Sequence, residues 1–251
     1  MSELGGAQVL ITGAGRGLGA ALAFELAQQG CLPILAGRNL GALRTIASEI
    51  GAIHGMNVPI VQIDLANPKS VSSAIEVLRA DGRPIDVLVN NGAMWLEASD
   101  EDHSDEEVAS VINAAVTGTF LLTQGLLPIL RRSARPDIVT IGSISGLPNA
   151  ALQSASIPFY AAKRAQAALA EGLSQVLTGT PIRSMVVHPP YLDDLTHGTP
   201  EWEAASERQK GERATIRDVV DAVIFALTRP RHVALSIIVD ADNGGVHHAT
   251  T

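Results

Sequence analysis

The chain has 251 residues, a formal net charge of −8 and 3% aromatic residues. This length fits one α/β domain around a single core, so a second domain is not required. The acidic charge and the scarcity of aromatic side chains argue against nucleic acid or an anionic membrane surface as a partner, because both partners need a basic patch. Cys31 is the single cysteine, which excludes an intrachain disulfide and a thiolate metal cluster, and we expect no metal site.

The location of the protein is predicted from the apolar runs of the sequence. The first residues lack the basic and uninterrupted apolar stretches of a secretory signal. No uninterrupted apolar run reaches the roughly 18 residues that a membrane-spanning helix needs. The cytoplasm is therefore the expected location.

Seven short apolar runs alternate with helical patterns along the chain. Their apolarity is continuous, which is typical of strands buried on both faces. Between them, Asn67 with Pro68 and Ser104 with Glu107 predict the starts of two helices. The order predicts an α/β fold: one domain over residues 1–251 with a Rossmann-type, doubly wound sheet of about seven parallel strands and helices on both faces. The runs lie at residues 8–12, 32–36, 59–64, 85–90, 137–142, 183–188 and 235–240.

Residues 189–211 form the least regular part of the sequence, a polar stretch with several prolines after the sixth predicted strand. Ligands of such sheets bind outside the carboxyl ends of the strands, so this excursion is the predicted substrate loop. Tyr191, Asp193, Asp194 and His197 could line a pocket there. Loop polarity explains these four residues equally well.

Three other groups of residues flank this end of the predicted sheet or the chain terminus. Met94 and Trp95, just after the fourth strand, are expected to form an apolar wall of the pocket. The acidic run 97–107 is interpreted as a solvated entrance to a helix. His247 and His248 are interpreted as part of a disordered tail instead of as metal ligands.

The glycine-rich stretch LITGAGRGLGAALAFELAQQG runs from a strand through a turn into a helix. Backbone N–H groups and a helix N-terminus receive a pyrophosphate in this arrangement. Gly13, Gly17 and Gly19 would allow a sharp turn, a close approach to the phosphates and tight packing of helix on strand. The alternative is a tight turn without a ligand, but the flanking strand and helix favour a dinucleotide site.

The end of the second predicted strand indicates which dinucleotide binds. A carboxylate at this place holds the ribose hydroxyls of NAD, whereas an arginine accommodates the 2′-phosphate of NADP. This sequence has Arg38 there, and Arg16 in the glycine turn can reach the same place. The two guanidinium groups favour NADP(H), and the alternative is a solvated arginine at a strand end.

Five ordered motifs resemble the short-chain dehydrogenase/reductase family across essentially the whole chain. They are T-G-x-x-x-G-x-G at 12–19, IDL at 63–65, VLVNNGA at 87–93, TGTFLLTQ at 117–124 and IVTIGSISG at 138–146. The resemblance implies a single enzyme domain that transfers a hydride directly between NADP(H) and a small carbonyl or alcohol substrate. It also implies a homodimer or homotetramer, assembled through the helices at residues 108–130 and 158–177.

The resemblance further implies which residues act. A serine hydroxyl orients the substrate oxygen, and a cationic lysine lowers the pKa of a tyrosine that transfers the proton. By position the serine is Ser143 and the lysine is Lys163; the alternative for both is a surface residue without a partner. The implied cofactor-binding residues are Gly13, Arg16, Gly17, Leu18, Gly19, Arg38, Asp64, Leu65, Asn90, Gly92, Lys163 and Pro189.

The tyrosine position departs from the family pattern, because the family places the tyrosine four residues before the lysine and Phe159 holds that position. Tyr160 lies three residues before Lys163. Residues three apart on a helix are neighbours, separated by about 60° around the axis against about 40° for residues four apart. Pro158 places Tyr160 in the first turn of the predicted helix, where the winding can differ. Tyr160 is therefore the predicted acid–base residue, and the alternative is a packing aromatic.

Other departures from the family pattern lie at the same end of the predicted sheet. Ala115 stands where the family has an asparagine, Gly92 and Ala93 are in reversed order, and Pro190 replaces a glycine. These departures leave two alternatives to the reductase. One is a dinucleotide-binding regulatory or interaction protein with weakened catalysis, and the other is a family member in which substrate or water donates the proton.

Overall fold

A computed structural model of the protein describes residues 3–99 and 102–246, so His247 and His248 lie outside the described residues. The predicted α/β fold is confirmed: seven strands form one sheet in the order β3-β2-β1-β4-β5-β6-β7, and each pair of neighbours is parallel. All seven strands lie within or within one residue of the apolar runs. The strands are β1 (Gln8–Thr12), β2 (Leu32–Gly37), β3 (Ile60–Gln62), β4 (Val87–Asn90), β5 (Asp137–Ile141), β6 (Arg183–His188) and β7 (Ser236–Ile238).

Helices cover both faces of the sheet, and each face has its own apolar core. One core joins β1 to the helices at residues 17–28, 40–54 and 216–227, and the other joins the helices at residues 68–81, 119–130 and 157–176 to the opposite face of the same strands. The strands β4, β5 and β6 are buried along their whole lengths, which explains their continuous apolarity. The helices are α1 (Gly17–Gln28), α2 (Leu40–His54), α3 (Pro68–Asp81), α4 (Asp105–Ile112), α5 (Thr119–Leu130), α6 (Ile157–Val176), α7 (Pro200–Ala204) and α8 (Ile216–Leu227).

Side-chain caps fix the starts of the helices that border the site. The Asn67 side chain accepts hydrogen bonds at the start of α3, and Ser104 forms a capping box with Glu107 at the start of α4, so both predicted starts are confirmed. Helix α6 begins at Ile157, one residue before the predicted Pro158, because the Ser156 side chain accepts from the Phe159 N–H. Tyr160 lies in the first turn, as predicted.

A six-residue π-helical segment, Asn113–Gly118, joins α4 to α5. The resulting helix over residues 105–130 is long and apolar enough to cross a membrane by length and composition alone. It is part of the folded core, since α4 packs against α6 and α5 packs against α3. A core helix passes the same length test, so this feature does not indicate a membrane span.

Candidate active site

A cavity opens at the carboxyl ends of β1 and β4, where the strand order of the sheet reverses. Its volume is about 610 Å³. Dinucleotides bind at such a reversal in open α/β sheets. Nine of the predicted cofactor-binding residues line it: Gly13, Arg16, Gly17, Leu18, Gly19, Arg38, Asp64, Leu65 and Gly92.

The glycine turn between β1 and α1 has the conformation that its sequence predicts. Gly13 and Gly17 have φ of +67° and +51°, in the left-handed region that glycine tolerates. A Cβ on Gly19 would lie 2.2 Å from the carbonyl oxygen of Gly13, so the start of α1 packs directly on the turn. The floor of the cavity is consequently bare backbone that a phosphate can approach closely.

Thr12, the last residue of β1, fixes the two strand ends that flank the cavity. Its hydroxyl accepts hydrogen bonds from the backbone N–H groups of Asn91 (3.0 Å) and Gly92 (2.8 Å) and donates to the Val89 carbonyl (3.2 Å). The Asn91 side chain also donates to the Thr12 carbonyl at 2.9 Å. The VLVNNGA motif is thereby held against the glycine turn.

Arg38 and Asp64 stand on the far side of the cavity, after β2 and β3. The Asp64 carboxylate accepts a hydrogen bond from the Ala66 N–H at 3.0 Å, and the Asp64 N–H donates to the Ser70 hydroxyl oxygen at 2.9 Å. Arg38 is exposed and also borders a second cavity, of about 460 Å³, together with Gln62, Asp64, Ser70 and Ser73. A guanidinium group at the junction of two cavities can reach an anionic group in either one.

Asn90, Lys163 and Pro189 were predicted to bind the cofactor but do not line this cavity. The Asn90 side chain is buried and donates to the Thr123 hydroxyl at 3.0 Å. Asn91 and Asp194 do line the cavity and were not in the predicted set. Asn91 is the next residue of the same motif, and alternation of side chains along β4 was the available signal.

Ser143 follows β5 and begins a 3₁₀ turn, in which its hydroxyl accepts from the Ser145 N–H at 3.1 Å. This leaves the hydroxyl proton available to a substrate oxygen. His188, at the end of β6, places Nδ1 3.0 Å from the Ser143 carbonyl oxygen. Burial lowers the pKa of His188, which favours a neutral ring with the proton on Nδ1.

Lys163 lies on α6 with only 5% of its surface exposed. Its ammonium group donates to the Ile141 carbonyl at 3.1 Å and to Oε1 of Gln166 at 2.8 Å. Burial lowers the pKa of Lys163 from 10.5 to about 8. Gln166 was not predicted, because one glutamine on an otherwise apolar helix face gives no motif.

Phe159 and Tyr160 point in different directions from the first turn of α6. The buried Phe159 ring has the Lys163 Nζ 5.9 Å from its centroid, so Phe159 occupies the place beside the lysine. The Tyr160 hydroxyl donates to the Ala150 carbonyl at 2.9 Å. For the predicted acid–base role this hydroxyl has to leave Ala150, and that role stays a prediction.

An aromatic wall, formed by Trp95, Phe159 and Tyr191, stands beside Lys163. The Trp95 ring packs edge-on against Phe159, with centroids 4.6 Å apart, and against Tyr191 at 5.7 Å. Arg213 lies over the Tyr191 ring at 5.2 Å. Trp95 is thus part of an apolar wall, while Met94 lines the dinucleotide cavity.

Two of the polar residues predicted in the excursion 189–211, Asp193 and His197, attach it to the rest of the fold. Asp193 forms ion pairs with Arg208 at 2.7 Å and with Arg213 at 3.3 Å. His197 stacks on Phe24 of α1 with centroids 4.7 Å apart. Asp194 instead turns into the cavity, where its Oδ1 lies 3.3 Å from the position that a Cβ on Gly17 would occupy.

The fold, the glycine turn and the residues at the strand ends define a dinucleotide-binding α/β protein. The sequence profile of the short chain dehydrogenases matches residues 7–206. The chain belongs to the short-chain dehydrogenase/reductase family.

Named relatives agree with this membership. An NADP-dependent 3-hydroxy acid dehydrogenase of Schizosaccharomyces pombe is 30% identical, with 99% of this chain and 98% of that protein covered. An uncharacterised oxidoreductase of Staphylococcus aureus is 28% identical over 91% of this chain and 94% of that protein. The L-sorbose reductase of Gluconobacter frateurii, solved with NADPH and L-sorbose, has a TM-score of 0.82 and 22% identity over 99% of both chains.

Proposed function

We propose that the protein is an NADP(H)-dependent oxidoreductase that transfers a hydride between the nicotinamide and a small carbonyl or alcohol substrate. The observation that carries the proposal is the cavity over the glycine turn, with Arg16 and Arg38 on its border. Family membership and the NADP-dependent relative from Schizosaccharomyces pombe support it.

The cavity residues fit a dinucleotide with a 2′-phosphate. The glycine turn offers backbone N–H groups and the N-terminus of α1 to the pyrophosphate, at a place where side chains would block the approach. Arg38 and Arg16 would hold the 2′-phosphate, since a guanidinium group pairs with phosphate oxygens through two parallel hydrogen bonds. Asp64 and Leu65 border the part of the cavity that would take the adenine.

The catalytic end contributes two polar groups from this chain. When bound, the nicotinamide supplies or accepts the hydride. The Ser143 hydroxyl would donate a hydrogen bond to the substrate oxygen and share its developing charge. The Lys163 ammonium would add positive charge at the same place, and the apolar wall of Trp95, Phe159 and Tyr191 would exclude water from the substrate.

A second candidate function is dinucleotide binding without turnover, in a regulatory or interaction protein. The observation that favours it is Phe159, whose ring has no hydroxyl and occupies the place beside Lys163. A third version keeps the enzyme but takes the proton from substrate or water. Both alternatives share the cavity and differ from the first proposal in the proton step.

Oxidation of NADPH in the presence of a panel of small ketones, aldehydes and keto acids tests the proposal. We expect turnover with at least one compound and a loss of more than about 100-fold in Lys163→Met, the size of effect typical of a removed charge-stabilising group. NADPH binding without turnover across the panel, in either direction of the reaction, would support the second candidate.

Tyr160→Phe separates the first proposal from the third. If Tyr160 transfers the proton, removal of its hydroxyl abolishes most turnover while the variant still binds NADPH. If turnover is unchanged in Tyr160→Phe and lost in Lys163→Met, the acid is not Tyr160 and the third version holds. Thermal unfolding of the variant shows whether loss of the bond to Ala150 has altered the fold.

We also propose a cytoplasmic homodimer or homotetramer that acts on a small-molecule substrate and does not bind nucleic acid or membranes. Phe120, Ile157 and Val176, on the helices that the resemblance assigns to the subunit interface, are exposed by 42%, 72% and 80%. Burial of these side chains against a second copy would remove apolar surface from water. Light scattering coupled to size-exclusion chromatography tests the assembly, and a monomer would contradict it.

A further inference from the structure

Lys163 has an unusual set of neighbours for a buried cation, because both of its hydrogen-bond acceptors are neutral. The acceptors are the Ile141 carbonyl of β5 and the side-chain oxygen of Gln166, one turn further along α6. Gln166 is itself only 1% exposed. A buried ammonium group without a carboxylate depends on such dipoles to remain charged.

The chemistry of the two side chains fixes the orientation of the Gln166 amide. An ammonium group has three donors and no acceptor, so the amide oxygen, not its NH₂ group, must face Lys163. In this orientation the Gln166 Nε2 has no hydrogen-bond partner among the residues that the structure describes. The amide thus satisfies the lysine while its own NH₂ group stays unpaired.

Among the residues that the structure describes, Gln166 is the one whose side chain accepts a hydrogen bond from the Lys163 amine. The Phe159 ring beside Nζ offers no oxygen, and the Tyr160 hydroxyl donates to Ala150. His188, at the end of β6, lies near the charges of Lys163 and Glu171, which shift its pKa in opposite directions. His188 is buried and its Nδ1 faces the Ser143 carbonyl, so it does not accept from Lys163 through that nitrogen.

We propose that Gln166 is a positioning residue, whose side-chain oxygen holds the Lys163 ammonium group beside the Phe159 ring and stabilises its charged form. The inference deepens the proposed function, on which its catalytic meaning rests. Gln166 does not touch the substrate; it acts through Lys163. Phe159 has no hydroxyl group near Lys163. The Gln166 side-chain oxygen, 2.8 Å from Nζ, provides a hydrogen-bond acceptor for the ammonium group instead.

The titration of Lys163 can be followed directly, because the sequence contains three lysines. Lys69 and Lys210 are both exposed, whereas Lys163 is buried. Protein grown on lysine labelled with ¹³C at Cε should therefore give one displaced signal, and the Lys163→Arg variant assigns it. This measurement requires no turnover, so it stands if the proposed oxidoreductase activity is not found.

Three substitutions test the role of the amide. In Gln166→Leu and Gln166→Met the acceptor is removed, so the pKa of Lys163 should fall by about one unit or more. In Gln166→Glu a carboxylate replaces the amide, so the pKa should rise by at least about one unit. Gln175→Leu, the same change at an exposed position of α6, should leave the Lys163 signal unchanged.

The pH profile of turnover provides a second readout that a merely structural role would not move. The limb of the profile that depends on Lys163 should shift to lower pH in Gln166→Leu and to higher pH in Gln166→Glu. An unchanged Lys163 titration in folded Gln166→Glu would overturn the proposal, because a carboxylate at hydrogen-bond distance has to stabilise the ammonium form. If the Leu and Met variants do not fold, the Glu variant alone decides.

Discussion

Arg38 stands at the end of β2 and borders two neighbouring cavities, with its guanidinium group 3.9 Å from the sulfur of Met94. If it holds the 2′-phosphate, Arg38→Ala should weaken NADPH binding by about 10- to 100-fold, from about 1.5–3 kcal/mol for a hydrogen bond to a charged group. Binding of NADH should change little. Fluorescence titration with both dinucleotides measures the two constants.

The control for Arg38→Ala is Arg44→Ala, which removes an exposed arginine of the adjacent helix α2 that does not line the cavity. If Arg38→Ala weakens the binding of NADPH and of NADH equally, Arg38 maintains the shape of the cavity and does not bind the 2′-phosphate. Equal weakening in both arginine variants would point to net charge as the cause.

Single residues were predictable where backbone geometry requires one residue type. Gly13 and Gly19 were identified because only a residue without Cβ allows the observed turn. The sequence motif predicts Asn90 as the cofactor-binding residue, whereas Asn91 lines the cavity, because both fit the motif and only the direction of each side chain separates them. Gln166 gave no signal at all, because its meaning comes from a contact with Lys163 inside the fold.

The excursion 189–211 has one acidic side chain in an unexpected place. Asp194 turns its carboxylate toward Gly17 at the start of α1, where a pyrophosphate would lie. The Asp194 carboxylate and a pyrophosphate bound at Gly17 would repel one another because both are negatively charged. Asp194→Asn should therefore tighten NADPH binding by about 3- to 10-fold at low ionic strength. Isothermal titration of NADPH into both proteins measures the change.

A matched control for Asp194→Asn is Glu201→Gln, which removes one negative charge from an exposed position of the same excursion. This control should leave the affinity for NADPH within twofold of the parent, as expected for a screened and distant charge. Weaker binding in Asp194→Asn would mean that the carboxylate positions the dinucleotide, contrary to our account.

At the scale of elements, strands were located correctly because burial on both faces leaves continuous apolar runs such as β5 and β6. Helix starts depended on caps, and the start of α6 was one residue off because Ser156 caps it ahead of Pro158. The course of residues 189–211 could not be predicted. Its anchors, such as the ion pairs of Asp193 with Arg208 and Arg213, join residues 15 and 20 positions apart, which no local sequence pattern indicates.

The whole molecule should respond to pH through Lys163. Its pKa is about 8 in the folded protein against 10.5 in the absence of burial, so the unfolded chain binds more protons between these values. The Lys163 contribution to the free energy of unfolding should therefore rise as the pH increases from about 8 to about 10.5, by about 3 kcal/mol in all. The buried Cys31 thiol, whose pKa burial raises from 9.0 to about 12, opposes this rise above about pH 9, so a net rise of about 1 kcal/mol is expected between pH 8 and 9. Urea unfolding at a series of pH values measures this rise.

Lys163→Met removes the group and should abolish its part of the pH dependence. Lys69→Met, at an exposed site, serves as the control and should keep the rise. Equal slopes of the free energy of unfolding against pH in the parent protein and in Lys163→Met, between pH 8 and 10, would contradict the lowered pKa of the buried Lys163.

The whole fold was predictable because strand, turn and helix patterns repeat in one order and a parallel sheet with short crossovers is the arrangement that buries them all. The chemistry was predictable only in part. Position along the sequence brought Ser143 and Lys163 to one end of the sheet, but which aromatic side chain faces the lysine depended on the first turn of α6.

The central claim is that the cavity over the glycine turn is an NADP(H) site, and the most direct test is the pair of dissociation constants for NADPH and NADH with the unmodified protein. Arg16 and Arg38 predict that NADPH binds at least about tenfold more tightly, as a paired phosphate contributes about 1.4 kcal/mol or more. Equal affinities, or a preference for NADH, would contradict the account.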